Sequence, residues 1–365
     1  MKKNKAKKFL VITYWGLGDF VWASSAISLI KKTFPNSHIT LLMLKSFAPL
    51  AKNNPVIDEI LFYYHNRDDS FLVDRIKKAL WFMRYFFKLF FGGFNACIFL
   101  DTSILLTLFV KLSRIPIIAG PALRANGYNL TEPSAKFFTN PIPLNPNSTH
   151  IHMSQRYQTI ARSFLGVQNL AMPVLPDTKY LENKIAALLG KCQGLKVGIA
   201  FKGRQSSNAL EAERVAGLIK KFNDKKKAAF FLLGEGGLKA EGEKILNLAK
   251  AIDAKIPVKN LCGKTDLLDL KQLCQMIDLL ICVDTGIMHV AAVTDICIVS
   301  LHGHTLPENS RPVSPKGAAL CKYISCSPCA YEKCPNNLRC LELISDEEII
   351  ETALRLIEEK ERNAG

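Results

Sequence analysis

Short, almost wholly apolar runs alternate along this chain with longer segments of helical periodicity, and the rhythm stops at a proline-containing stretch and then starts again. Phe9 to Tyr14 ends at a Gly-Asp turn, Phe20 to Phe34 has helical spacing, and a second apolar run covers Ile39 to Leu44 after Pro35 and Asn36. Strand, helix, strand in that order is the unit of a parallel sheet, because parallel neighbours need a crossover between them. The alternation continues with Ala96 to Leu100 as strand, Ile104 to Leu112 as helix, and Ile115 to Ala119 as strand closed by Gly120 and Pro121. A linker is expected at 171 to 180, which carries Pro173, Pro176 and Asp177. Beyond it the spacing predicts strands at Val197 to Phe201, Ala228 to Leu233, Leu279 to Val283 and Cys297 to Leu301, with helices near 211–222, 238–252, 267–276 and 286–293. The expectation is an α/β chain of two doubly wound domains, 1–172 and 173–345. An acidic-rich helix over 346–365 is expected to pack back toward the first domain. Ligands of such sheets bind outside the carboxyl ends of the strands, so the loops there hold the candidate chemistry, and two such domains imply a cleft.

A length of 365 residues suits two domains that each bury a core. With 48% hydrophobic and 22% charged residues the composition is that of a globular chain. Every long apolar stretch is broken by charge or glycine: Arg84 and Lys88, then Gly92, Gly93 and Asp101, then Asp284. No membrane-crossing helix is expected. Lys2, Lys3, Lys5, Lys7 and Lys8 read as a basic tail leading into a buried strand rather than as an export signal. Eleven cysteines without such a signal point to a reducing compartment and a cytoplasmic location. The net charge of +16 calls for anionic partners, whether nucleic acid, an anionic lipid surface or a phosphorylated substrate. No recognition motif accompanies the basic residues, so no nucleic-acid partner is expected.

Between Ser70 and Phe91 the chain reads as one long helix. Lys77, Arg84 and Lys88 fall on a narrow arc, while Leu80, Phe82, Met83, Tyr85, Phe86, Phe87, Leu89, Phe90 and Phe91 spread over a wide one. Two readings stand: a helix lying at a lipid interface, or a core helix with one solvated basic stripe.

Two strand-to-helix junctions carry candidate chemistry. In Gly16-Leu17-Gly18-Asp19 the glycines let backbone approach a ligand and the helix start presents amides to an anion, although Asp19 could equally be a cap. In Asp284-Thr285-Gly286-Ile287-Met288-His289, Thr285 and Gly286 open a helix whose amides could hold a diphosphate, and His289 lies one turn on.

These residues resemble a known family. Asn260-Leu261-Cys262-Gly263-Lys264-Thr265, then Leu267 to Ile281, then Asp284-Thr285-Gly286-x-Met288-His289-x-Ala291-Ala292 is similar to the donor-binding signature of the bacterial heptosyltransferases, glycosyltransferase family 9. Gly18-Asp19 with Pro35, Asp101, Arg156-Tyr157, Gly234 with Glu241-Gly242-Glu243, and Gly303 agree in order, so the resemblance covers nearly the whole chain. It implies the GT-B class, with two Rossmann-like domains facing a central cleft, the first binding acceptor and the second binding nucleotide sugar. It further implies an inverting transfer of a sugar, typically heptose from ADP-heptose, onto a lipopolysaccharide core or related membrane-anchored saccharide. The location implied is the inner face of the cytoplasmic membrane, peripheral to an anionic surface. By resemblance Asp19 is the catalytic base, Gly16 and Gly18 form its loop, and Asp284, Thr285, Gly286 and His289 hold the donor. No cofactor or active-site metal is expected.

The chain also departs from the family. A lysine usual before a Trp-Pro pair is replaced by Asn208, and Lys202 or Arg204 on the same loop is expected to supply the charge. An acidic residue usual after the Gly234 turn is replaced by Leu238, leaving Glu235 or Glu241 to stand in. Cys326, Cys329, Cys334 and Cys340 could close a structural zinc site, or be reduced or disulfide-linked loop cysteines. The alternatives to a transferase are an epimerase-like relative and a pseudoenzyme that keeps the fold.

Overall fold

The computed structural model describes residues 7–63, 71–122, 133–144, 151–329 and 333–364. Lys2, Lys3, Lys5 and Ser70 of the readings above lie outside them. The chain divides into two units, Met1–Asp177 and Thr178–Gly365.

The first unit contains strands β1 (Lys8–Ile12), β2 (His38–Leu44), β3 (Glu59–Tyr63), β4 (Ala96–Phe99), β5 (Ile118–Pro121) and β6 (Asn140–Ile142). Its helices are α1 (Leu17–Thr33), α2 (Ala48–Ala51), α3 (Phe71–Phe91), α4 (Ile104–Leu112) and α5 (Met153–Leu165). All six strands are parallel, in the order β3-β2-β1-β4-β5-β6. The order reverses direction between β1 and β4, and that is where a doubly wound sheet opens a crevice. Ile12 pairs with Phe99 there, so the residues after these two strands emerge side by side.

Helix α1 is buried from Phe20 to Ile30 because it lies between the sheet and α5, and that stretch is accordingly uncharged, its only polar side chains being Ser24, Ser25 and Ser28. Helix α3 has three sectors. Trp81, Phe82, Tyr85 and Phe86 pack on the core, where the Phe82 and Phe109 rings meet at 4.9 Å, and Leu89 is buried. Ile76, Leu80, Met83, Phe87 and Phe91 are exposed. At 3.6 residues per turn these five share an arc of roughly 80°, and Lys77, Arg84 and Lys88 occupy the arc beside it. Neither sequence reading was complete: one face is core and another is an exposed apolar stripe.

The second unit contains β7 (Leu195–Ala200), β8 (Ala228–Leu232), β9 (Val258–Asn260), β10 (Leu279–Val283), β11 (Cys297–His302) and β12 (Gly317–Cys321). Its helices are α6 (Glu182–Leu189), α7 (Ala212–Lys225), α8 (Lys239–Ile252), α9 (Leu267–Met276), α10 (Gly286–Ala291), α11 (Pro307–Ser310), α12 (Arg339–Glu342) and α13 (Asp346–Ala364). The parallel order β12-β11-β10-β7-β8-β9 repeats the first sheet's topology, with its reversal between β7 and β10. Both units are the Rossmann-like sheets of the GT-B class.

The apolar face of the last helix is used inside its own unit. Ile349, Ile350, Ala353, Leu356 and Ile357 are buried in the core of the second unit, against β10, β11, β12 and α7. Arg214 of α7 ties the helix start down by bonding Asp346, at 3.3 Å, and the carbonyls of Leu341 and Ile344. Among the described residues no helix is long and apolar enough to cross a membrane.

Candidate active site

In the first unit the crevice holds two carboxylates and one phenol. Asp19 is the third residue of α1, and its Oδ2 accepts the Gly16 amide at 2.9 Å. The cap and the functional reading are therefore compatible, because Oδ1 points elsewhere and accepts the Tyr157 hydroxyl at 2.9 Å. A side chain at Gly16 would put its Cβ 3.0 Å from Oδ2, so glycine is what lets the carboxylate close onto the turn. Asp19 is half-buried and the neighbouring Trp15 is exposed.

Asp101, two residues past the end of β4, is buried behind Asp19. Its Oδ2 accepts the Thr13 hydroxyl at 2.7 Å and the Tyr14 amide at 3.0 Å, and its Oδ1 accepts the Tyr157 hydroxyl at 2.6 Å. Burial and the nearby Asp19 charge push its carboxyl up to about 7, against the pull of these hydrogen bonds. Burial and the two carboxylates push the Tyr157 phenol well above its ordinary value. Sequence reading placed Asp101 and Tyr157 in the family pattern but gave them no role. The signal that could have singled out Asp101 is its place immediately after the strand predicted at Ala96 to Leu100.

In the second unit the equivalent crevice is built on Asp284, which follows β10. Its Oδ2 accepts the Thr305 and Ser310 hydroxyls at 2.6 and 2.8 Å. His289 Nε2 lies 3.8 Å from Oδ1 and His302 Nδ1 lies 4.0 Å from Oδ2. Burial alone would raise this carboxyl, but His302, His289 and the two hydroxyls outweigh it and hold the group below the usual range. His302, Thr305 and Ser310 were missed by sequence reasoning. The first ends β11 and the others lie on the loop and short helix after it, so only the sheet order makes them neighbours.

The loop after β7 leans on the same place. Asn208 is 2% exposed, and its amide donates to the Asp284 carbonyl while its Oδ1 has no hydrogen-bond partner among the described residues. Gly203 packs so closely that a Cβ would stand 2.5 Å from Asn208 Nδ2. Asn208 therefore clamps two loops together. Lys202, bridged to Ala209, is half-buried and Arg204 is exposed, so both cations of this loop remain reachable from solvent. Thr285 and Gly286 begin α10, which is only six residues long, and His289 is buried within it. Glu235, at the turn after β8, is exposed, whereas Leu238 packs on the core and Glu241 opens α8. Asn260 holds β9 to α8 through Lys239 and Glu243.

The zinc expectation is corrected. Among the described residues no three His, Cys, Asp or Glu side chains are grouped to hold a metal ion, and all eleven cysteines are free. Cys334 Sγ instead accepts the amides of Asn336 and Leu338 at 3.4 and 3.3 Å, while the Asn336 side chain donates to Cys326.

Comparison with known proteins agrees with this architecture. Lipooligosaccharide heptosyltransferase 2 of Campylobacter jejuni is 30% identical over 190 residues, 50% of this chain and 56% of that protein, so the chain spans about half the length of the curated relatives it matches. The E. coli ADP-heptose LPS heptosyltransferase II superposes with a TM-score of 0.75 over 97% of this chain and 99% of its own, at 18% identity. A glycosyltransferase family 9 protein of Veillonella parvula superposes with a TM-score of 0.74 over 98% and 99%, also at 18% identity. At that identity the superpositions speak for the fold. Residues 140–339, more than half of the chain, match the pattern of glycosyltransferase family 9 (heptosyltransferase), and the chain belongs to that family.

Proposed function

We propose that this protein is an inverting glycosyltransferase that moves a heptose from ADP-heptose to a lipopolysaccharide-core or related membrane-anchored saccharide. Asp19 carries the reading. It is a half-buried carboxylate at the reversal point of the first sheet, fixed by the Gly16 amide and the Tyr157 hydroxyl. An acceptor hydroxyl must lose its proton as its oxygen attacks the anomeric carbon, and in this reading Asp19 takes it. Attack on the face opposite the departing ADP inverts the anomeric centre.

The leaving diphosphate gains charge as the glycosidic bond breaks and needs cations or amides to receive it. Asn208 offers no charge and its amide is committed to the Asp284 carbonyl, so Lys202 and Arg204 take that role. Asp284, with its carboxylate occupied by Thr305 and Ser310, orders the loops around Thr285, Gly286 and His289 rather than meeting the phosphates itself. Glu235, on the exposed turn after β8, is assigned to the donor's sugar or ribose hydroxyls.

A lipid-linked acceptor places the enzyme at an anionic bilayer surface on the cytoplasmic side. The exposed stripe of α3, flanked by Lys77, Arg84 and Lys88, suits it, and α4 adds exposed Leu105 and Leu112.

The test is sugar transfer from ADP-heptose with the parent chain, Asp19→Asn and Asp19→Ala, following ADP release and the anomeric configuration of the product. Loss of roughly a thousandfold in kcat for both variants, with a product of inverted configuration, is expected. A parent as inactive as Asp19→Ala, or a retained configuration, overturns the proposal.

A further inference from the structure

The site of the first unit holds more acid-base machinery than one general base requires. Asp19 and Asp101 both accept from the single hydroxyl of Tyr157, at 2.9 and 2.6 Å, and that hydroxyl carries one proton. Asp101 cannot meet an acceptor itself, since it is 6% exposed and Tyr157 is fully buried. Two carboxylates on one phenol are well satisfied only when a second proton is present, because then one acid donates to the phenol oxygen while the phenol donates to the other. We propose that Tyr157 and Asp101 form the proton exit of this site: the proton Asp19 takes from the acceptor hydroxyl passes through the Tyr157 hydroxyl to Asp101. The inference rests on the transferase reading of Asp19.

The step balances. The acceptor O–H breaks as its oxygen bonds to the anomeric carbon, the bond to ADP breaks with its electron pair, and the proton lands on Asp19. Asp19 gives a proton to the Tyr157 oxygen as the Tyr157 hydroxyl proton moves to Asp101 Oδ1. Asp19 is again a carboxylate, Tyr157 is again a phenol, and Asp101 is a carboxylic acid. Tyr157 and Asp101 act through Asp19 and are positioning residues.

The surroundings of Asp101 suit a proton acceptor. Among the described residues Asp19 from α1 and Tyr157 from α5 are the titratable groups that act on it, the chain after β1 presents the Thr13 hydroxyl and the Tyr14 amide, and Asp101 forms no ion pair. Burial and the Asp19 charge make it hold a proton up to about pH 7. Below that pH Asp101 is already protonated and the exit is closed, so turnover must rise as the pH climbs through it.

The experiment is single-turnover transfer by the parent chain, Asp101→Asn and Tyr157→Phe between about pH 6 and pH 8.5, with infrared titration of the protonated-carboxyl stretch in the same proteins. The parent is expected to show a rate rising through about pH 7 and a carboxyl stretch lost over the same range. Asp101→Asn is expected to lose both the rise and the titrating stretch, and to be slower by roughly tenfold or more on the alkaline side. Tyr157→Phe, which keeps the ring in its buried slot, is expected to be slow and flat. An Asp101→Asn variant that keeps the parent's rise overturns the proton exit, as does a parent stretch that does not titrate, and in both cases the transferase reading stands. A parent that transfers no sugar overturns the transferase reading and the exit with it, and the infrared titration then still separates a shared proton from none.

Discussion

Replacing Phe87 and Phe91 together by serine should weaken binding to anionic vesicles by about a hundredfold. The two rings are 57% and 76% exposed. A phenylalanine side chain offers ~200 Å², so the pair shows water about 270 Å² of apolar surface. At about 25 cal/mol per Å² complete transfer into lipid is worth ~6 to 7 kcal/mol. An interfacial helix immerses only one face, so about half of that, ~3 kcal/mol, is realised, and each 1.4 kcal/mol is a factor of ten. The assay is sedimentation or fluorescence partitioning onto vesicles with and without anionic lipid. The fold should tolerate the change, because neither ring belongs to the core. Phe86 is the internal contrast: it packs on the core and faces Phe109 at 6.3 Å, so Phe86→Ser should lower stability, by roughly 2 kcal/mol, more than it lowers partitioning. A double variant that partitions within about twofold of the parent refutes the membrane assignment of this stripe.

Asp284→Ala leaves two hydroxyls without their buried acceptor and two histidines without their neighbouring carboxylate, and should cost the second unit about 3 to 5 kcal/mol together with its protection by ADP against thermal unfolding. Because the folded carboxyl is held below its ordinary value, its contribution is present at neutral pH and fades as pH falls through that lowered value, so the gap between parent and variant should narrow in acid. Asp101 has the opposite sign. Its folded pKa is raised, so the folded state binds the extra proton and loses stability as pH rises from the ordinary carboxylate range to about 7. Denaturation midpoints should therefore shift in favour of Asp101→Asn between about pH 5 and pH 8, and a constant difference would refute the raised pKa.

Much of the fold was legible in the sequence because the inner strands announce themselves. β1, β4, β7, β8, β10 and β11 are buried over most or all of their length and read as largely apolar runs. The strands not predicted, β3, β6, β9 and β12, are the four sheet edges. Their residues carry no such signal: β6 reads Asn-Pro-Ile, with a proline an edge tolerates, and β9 reads Val-Lys-Asn. The domain rhythm and helices such as α9, whose Asp266 cap accepts the Leu268 and Asp269 amides, were equally readable because their causes are local.

The sequence by itself determined the two parallel sheets, the family, and the two strand-to-helix junctions at Gly16 and Asp284 where chemistry gathers. Tertiary structure decided which side chains meet there. Tyr157 lies 138 residues from Asp19 and 56 from Asp101, and no periodicity predicts that one hydroxyl would join two carboxylates. It also turned Asn208 from a missing lysine into a clamp on the Asp284 loop, and seated α13 on the second sheet. The physical reason is range: strand and helix follow from neighbours a few residues apart, whereas a site forms where strand ends from distant parts of the chain are laid side by side.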